Sequence, residues 1–416
     1  MNETETEDPT EQPPVAVIET LSDLEQLAAH LTGVERMAVD IESDSFYSYH
    51  EKVCLVQISS PSDDFVVDPL AVLDLSPLGP LFRDPKIEKV FHAGEYDVLC
   101  LKRDYGFEVE NTFDTMIAAR ILGSKELGLA PLIHRYFGVT LSKKLQRSDW
   151  GRRPLTEAQI EYARMDTHFL LALSDLLRGE LAKRGLDHDA HDEFERLTRV
   201  RPGEKLFDPD SFWRLPGARE LSPKARAVLK ELYYHREKTA AEMDRAAFRV
   251  LPEQLLVRLA VELPRALEAV QNAKGMTPYL FNRFGRELLA VIQAGLAKDP
   301  IEREPERLPG RRWDTVTMLR YETLRQWRKK KAEERGVDTV VILATDDLRV
   351  IAEAPARAPD PDAWLLALTP RKRELYGAEL LALLSAPIAA PAANPKRRRR
   401  RRRRAGKTSD SAGPSA

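Results

Sequence analysis

The sequence predicts an α/β domain followed by two small all-α domains. Three observations predict it. Between Val15 and Phe91, β-prone runs recur with turn residues between them. From Glu157 to about Arg184 the chain is Leu/Ala-rich with helical spacing. Beyond about residue 206 no convincing strand remains, and one helical candidate follows another.

The elements follow in order. Val15–Ile18 is a short β-prone run, and Ser22-Asp-Leu-Glu25 is a capping box that predicts a helix to about Leu31. Strands are expected at 36–42, 53–59 and 65–68, with Pro61-Ser-Asp-Asp64 as turn material between the last two, and again at 87–91. Helical spacing covers 94–104, about 113–122, 126–137 and 157–184. From about 206 to 298 the helical candidates are broken by Pro216, Pro252, Pro264 and Pro278. The same kind of pattern returns over 310–385. A gapless offset of 92 residues sets Leu232 on Leu324, Arg236 on Arg328, Val250 on Ile342 and Leu251 on Leu343. A domain-sized offset of this kind predicts two related helical domains. The expected bounds are therefore a disordered acidic N-terminus at 1–14, an α/β domain at 15–205, helical domains at 206–298 and 299–388, and a disordered Arg-rich tail at 389–416.

Composition narrows the class. The chain has 416 residues, 43% hydrophobic and 31% charged. It has no apolar run near the ~20 residues a membrane span needs. The acidic, polar stretch MNETETEDPTEQPP is not expected to act as a secretory signal, and a cytoplasmic location is expected. Cys54 and Cys100 form no CxxC pair and are expected as reduced core thiols. The net charge of −2 hides an asymmetry. Residues 396–407 hold ten of the 64 Lys and Arg and no acid, so the remainder carries −12.

The stretch Met37-Ala-Val-Asp-Ile-Glu-Ser-Asp-Ser-Phe46 places two carboxylates in a strand. Met37, Val39 and Ile41 share one face; Asp40 and Glu42 share the other. Side-by-side like charges are unfavourable without a positive partner. Two further acids join them. Asp97 lies in VFHAGEYDVLCL, where a strand turns into a helix, and Asp166 lies on the long helix with Tyr162 four residues before it on the same face. Four converging carboxylates with no His or Cys cluster suit hard divalent cations, Mg²⁺ or Mn²⁺. Two such ions clamp the oxygens of an in-line phosphoryl displacement.

These motifs resemble those of the DEDD superfamily of 3′→5′ exonucleases, and within it the ribonuclease D family. VDIESDSF, FHAGEYDVLCLKRDYG and YARMD stand in family order, and the tyrosine places the chain in the tyrosine subclass. LVQIS around Gln57, FDTMIAARIL around Asp114 and SDWGRRPLTEAQIEYA extend the likeness. The helical repeats resemble the helicase-and-RNase-D C-terminal (HRDC) domains. The resemblance implies an RNase H-like mixed sheet flanked by helices. It implies two divalent cations on Asp40, Glu42, Asp97 and Asp166, with Tyr162 positioning the attacking water. It also implies release of 5′-mononucleotides from the 3′ end of tRNA precursors and other small structured RNAs.

Other residues have open readings. His92 is a packing residue or a ligand, and Asp114 caps a helix or supports the site. Lys143, Lys144, Arg147, Arg152 and Arg153 form a solvated loop or guide substrate phosphates. Phe46, Tyr47 and Tyr49 stack terminal bases or cover the core. The Arg-rich tail is expected to contact RNA phosphates, and a monomer is expected. Two alternatives stand beside the exoribonuclease: the same chemistry on DNA, and a non-catalytic RNA-binding scaffold. The scaffold's signature would be loss of a motif acid, and all four are present.

Overall fold

The computed structural model describes residues 15–203, 207–304, 313–354 and 368–385. The acidic N-terminal stretch and the Arg-rich tail lie outside the described residues.

Six strands form one mixed sheet: β1 Ala16–Ile18, β2 Arg36–Ser43, β3 Val53–Ser59, β4 Asp64–Val67, β5 Glu88–Phe91 and β6 Thr112–Asp114. Their order is β1-β4-β3-β2-β5-β6. β2, β3 and β4 pair antiparallel, while β1–β4, β2–β5 and β5–β6 are parallel. β3, VCLVQIS, is buried at every position because both faces of the sheet are covered. On one face, Met37, Val39 and Ile41 pack with Leu24, Leu27 and Leu31 of helix α1 (Leu21–Leu31) and with Val98 and Leu101 of helix α3 (Glu95–Tyr105). A short helix, α2 (Gly79–Arg83), adds Leu81 and Phe82 to this core. On the other face, Leu55 and Val66 meet Trp150 and Ala163. The strand alternation read from the sequence is thus the partition between the two layers. Cys54 and Cys100 are buried and unbridged, as expected.

Local differences have local causes. The N-cap of α1 is Thr20, whose hydroxyl accepts from Asp23 N, so the cap stands two residues before the expected Ser22. Residues 112–114 form β6 before α4 (Thr115–Ile121) begins. Helix α5 runs Leu129–Phe137. The stretch expected as one long helix is two, α6 (Glu157–His168) and α7 (Leu170–Arg184), and α8 (Asp187–Thr198) follows.

A second core, built on Phe212, Trp213, Leu229, Leu256 and Leu288, belongs to the first helical region: α9 (Pro223–Glu242), α10 (Ala247–Val250), α11 (Glu253–Glu262), α12 (Leu267–Gln271) and α13 (Pro278–Ala297). Tyr49 of the α/β region packs against it. Beyond residue 310 the chain is a separate compact unit. It contains α14 (Thr315–Arg335), α15 (Thr339–Ile342), α16 (Thr345–Glu353) and a helix at Pro370–Ser385, around Leu324, Ile342, Leu348 and Leu380. Each of these four helices begins 92 residues after its counterpart in the first helical region, the offset read from the sequence. Leu232/Leu324, Val250/Ile342 and Leu251/Leu343 are buried at both ends of that offset.

Candidate active site

Asp40 and Glu42 project from the face of β2 that α6 covers. Their cross-strand neighbours on β3 are Gln57 and Leu55. Helix α6 is placed by a buried network. Arg164 pairs with Asp64 at 3.0 Å, His168 Nδ1 lies 2.7 Å from the same carboxylate, and Thr167 meets Ser59 at 2.7 Å. Breaking one partner of a buried pair costs about 3–5 kcal/mol, so the helix has little freedom to shift. A capping box fixes its start: Thr156 N donates to Gln159 Oε1, and Gln159 N donates to the Thr156 hydroxyl. Tyr162 and Asp166, one turn apart, are thereby held over the strand carboxylates.

The outcome is a cleft of about 630 Å³ whose walls include Asp40, Glu42, Asp97, Tyr162 and Asp166. Ligand atoms of Asp40, Glu42 and Asp166 all lie within 4.8 Å of one another. Asp97 lines the same cleft but is not one of this trio. It is buried, and its Oδ1 accepts a 3.1 Å bond from Ile41 N, which ties α3 to β2. The turn that delivers Asp97 is tight. Ala93 has a φ of 60°, and a Cβ on Gly94 would sit 2.5 Å from the Phe91 side chain. Asp114 accepts from Gly94 N at 2.8 Å and from Ile117 N at 2.9 Å, so it caps α4 and braces the Asp97 turn together.

Burial drives the electrostatics. It pushes Asp40 up to about 7. With repulsion from Asp40 added, Glu42 rises to about 10 and Asp166 to about 8. Asp97 is raised well above the usual carboxylate range by the same two causes. Tyr162 is pushed far upward by burial and by Asp166, so its hydroxyl stays protonated. Burial lowers His92 to about 4, and its Nδ1 lies 2.9 Å from Thr115 Oγ1.

Three half-buried acids that repel one another fit a divalent metal. The donor set is all oxygen, as Mg²⁺ and Mn²⁺ prefer. Gln57 supports the fit. It is fully buried beside Asp40, yet neither amide atom has a hydrogen-bond partner. Buried amides rarely go unpaired, and an uncompleted ion or water site is a known reason. Trp150 Nε1, in the cleft wall and 5.9 Å ring to ring from Tyr162, is likewise unpaired.

The remaining candidates divide. Phe46, Lys143 and Arg147 line the cleft, and Arg147 lies over the Phe46 ring at 5.6 Å. Tyr47 and Arg152 line a different cavity. Lys144 is exposed and lines neither. Arg153 faces inward: it bonds Asp68 at 2.5 and 2.7 Å, Trp150 O at 2.7 Å and Cys54 O at 2.9 Å. Its guanidinium is committed to these protein partners. The sequence reading gave no site role to Gln57, Trp150 or Tyr96, whose hydroxyl meets Ser43 Oγ at 2.9 Å in the cleft lining. The signal was present for all three, since each lies inside a quoted motif: Gln57 in LVQIS, Tyr96 in FHAGEYDVLCLKRDYG and Trp150 in SDWGRRPLTEAQIEYA.

Residues 15–182 match the 3′-5′ exonuclease family, and residues 225–292 and 319–384 each match the HRDC domain. The chain is 31% identical over 370 residues to ribonuclease D of Nitrobacter hamburgensis, covering 88% of this chain and 94% of that one. The chain belongs to the ribonuclease D family. It is also 32% identical over 330 residues to RRP6-like protein 1 of Arabidopsis thaliana, covering 76% of this chain. It spans about half the length of that relative and about a third of the exosome complex component 10 homologue of Caenorhabditis elegans. Among solved structures, the catalytic core of RRP6 from Trypanosoma brucei superposes with a TM-score of 0.63 at 32% identity, over 68% of this chain and 80% of that one. Escherichia coli RNase D, described as an exoribonuclease involved in structured RNA processing, superposes with a TM-score of 0.59 at 25% identity, over 89% and 99%. The ribonuclease D assignment accounts for both halves of the architecture, the mixed-sheet nuclease and the repeated helical domains.

Proposed function

We propose that this chain is a metal-dependent 3′→5′ exoribonuclease that trims tRNA precursors and other small structured RNAs in the cytoplasm. The observation that carries the reading is the trio Asp40, Glu42 and Asp166 within 4.8 Å, with Tyr162 alongside, in a chain of the ribonuclease D family. Asp40, Glu42 and Asp166 would hold divalent cations, with Asp97 completing the set. Bound there, the cations would supply positive charge against the developing phosphoryl negative charge and Lewis acidity towards water.

The chain's own residues do the rest. Tyr162 keeps its proton, so its hydroxyl orients the attacking water and does not act as the base. That water attacks phosphorus at the last linkage. The P–O3′ bond breaks, the hydroxyl stays on phosphorus, and the proton passes to the departing 3′ oxygen. The shortened strand keeps a 3′-OH and a 5′-mononucleotide leaves. Phe46 and Trp150 wall the cleft where the terminal nucleotide enters, and Lys143 and Arg147 lie where its phosphates pass.

The helical domains and the Arg-rich tail recruit structured RNA through phosphate contacts. Purified protein on a 3′-extended tRNA precursor tests the reading, with and without Mg²⁺ and beside a matched DNA strand. Stepwise 3′ shortening of the precursor, dependent on the metal, is expected. Preference for the DNA strand would overturn the RNA assignment.

A further inference from the structure

Two loops of the nuclease domain form a wall shared by two cavities. Phe46, Arg147 and Trp150 face the carboxylate cleft. Their sequence neighbours Asp44, Asp149 and Arg152 face a second cavity, of about 550 Å³. Its far side is closed by the first helical domain, through Arg245 and Arg249.

The second cavity is held open by fixed contacts. Ala246 N donates to Tyr47 O at 2.8 Å, and His50 N donates to Asp244 Oδ1 at 2.9 Å. Arg249 Nε donates to Phe46 O at 2.6 Å while its guanidinium lies 3.8 Å from the Tyr47 ring centre. The two domains are thus clamped at the loop that also walls the cleft.

The charge is one-sided. Lys52, Arg152, Arg245 and Arg249 face Asp44 and Asp149. Asp44 is already compensated: it accepts from Lys52 Nζ at 2.7 Å, Ser48 Oγ at 2.7 Å and Lys52 N at 2.8 Å. Among the described residues, the guanidiniums of Arg152 and Arg245 make no hydrogen bond or ion pair. Two uncommitted guanidiniums in a cavity with a net charge of +2 suit a phosphate, which they can bind through paired donors.

We propose that this interdomain cavity is a second phosphate site, which takes a backbone phosphate of the RNA strand on the 5′ side of the linkage being cut. The assignment rests on the exoribonuclease reading. With the 3′ end in the carboxylate cleft, the only strand left to cross the shared wall is the 5′ part. The site holds that strand by its phosphate and carries no base information.

The test compares the full chain with its Arg245→Ala and Arg245→Lys variants on two RNAs. One is a 5′-fluorescein decamer. The other is a dinucleotide, whose single phosphate is the one being cut. Decamer binding is read by anisotropy in EDTA across a salt series, and dinucleotide hydrolysis is read with Mg²⁺. Arg245→Ala should weaken decamer binding about tenfold, the size of one charged contact. It should lower the slope of log affinity against log salt by about 0.7. Arg245→Lys should restore the slope, and kcat/KM on the dinucleotide should stay within twofold for both. An unchanged decamer affinity and slope would overturn the proposal, and would be the result for a site that takes only a free anion. Equal losses on both RNAs would overturn it too, since Arg245 would then merely support the loop carrying Phe46. A wild-type chain that binds the decamer but hydrolyses neither RNA would instead refute the exoribonuclease reading, and the binding comparison would still decide the site.

Discussion

Without metal, the acid trio should make the fold less stable as pH rises, and Asp166→Asn should remove part of that loss. Unfolded carboxyls titrate near 4. Burial pushes Asp40 up to about 7, and burial with repulsion from Asp40 takes Asp166 to about 8 and Glu42 to about 10. The folded chain therefore holds protons that the unfolded chain has released. Such stabilisation is complete below pH 4 and is lost as pH climbs through the folded values, here from about 4 to 8 and beyond. The three acids share one field, so their protons are not independent. Even one retained proton tilts stability by about 1.4 kcal/mol per pH unit, or about 2.7 kcal/mol between pH 5 and 7. The Asn variant lacks one titrating group and its repulsion on Glu42. It should show a shallower slope and exceed wild type in stability at pH 8. Urea unfolding in EDTA at pH 5, 6, 7 and 8 reads both slopes. Added Mg²⁺ should stabilise wild type more at pH 8 than at pH 6, because it binds the ionised acids. Superimposable flat curves for the two chains would show that these carboxylates do not form one electrostatic cluster.

Three further outcomes are expected. Tyr162→Phe should lower kcat by about 10²-fold with little change in KM, the signature of a positioning hydroxyl; a raised KM with kcat unchanged at saturating RNA would make Tyr162 a substrate-docking residue instead. Gly94→Ala should destabilise the nuclease domain by about 1–3 kcal/mol in chemical denaturation, because the new Cβ meets the Phe91 side chain and overpacks the turn. Deleting residues 395–416 should flatten the salt dependence of RNA binding by at most roughly 6, at about 0.7 for each of nine consecutive cations, and leave kcat at saturating RNA unchanged; an unaltered slope would exclude the arginines from RNA contact.

The layers of the nuclease domain were legible because they follow period-2 burial. Met37, Val39 and Ile41 went to one face, and Asp40 and Glu42 to the other. The helical repeat was legible because its 92-residue offset survives at four helix starts. What was hidden depended on tertiary context. Phe169, a neutral residue in a Leu-rich run, divides α6 from α7 with no Pro or Gly to mark it. Thr20 and Ser22 both open plausible capping patterns, and only the backbone at Thr20 is extended, with φ −126° and ψ 153°. At the site, sequence placed the four acids on the right elements. It could not show that Asp97 spends one oxygen on Ile41 N, nor that Gln57 is buried unpaired beside Asp40. The basic loop split for the same reason: adjacent residues of one chain segment face different cavities or the interior, and charge alone carries no direction.

Product analysis with an Asp40→Ala control decides whether a carboxylate-held metal cuts RNA at its 3′ terminus. A single-stranded RNA labelled at its 5′ end should shorten one nucleotide at a time from the 3′ end with Mg²⁺, releasing 5′-mononucleotides. Cleavage should stop in EDTA and be lost in Asp40→Ala, while that variant still binds the RNA. Internal fragments, or activity in Asp40→Ala within tenfold of wild type, would contradict a carboxylate-held metal site acting at the 3′ terminus.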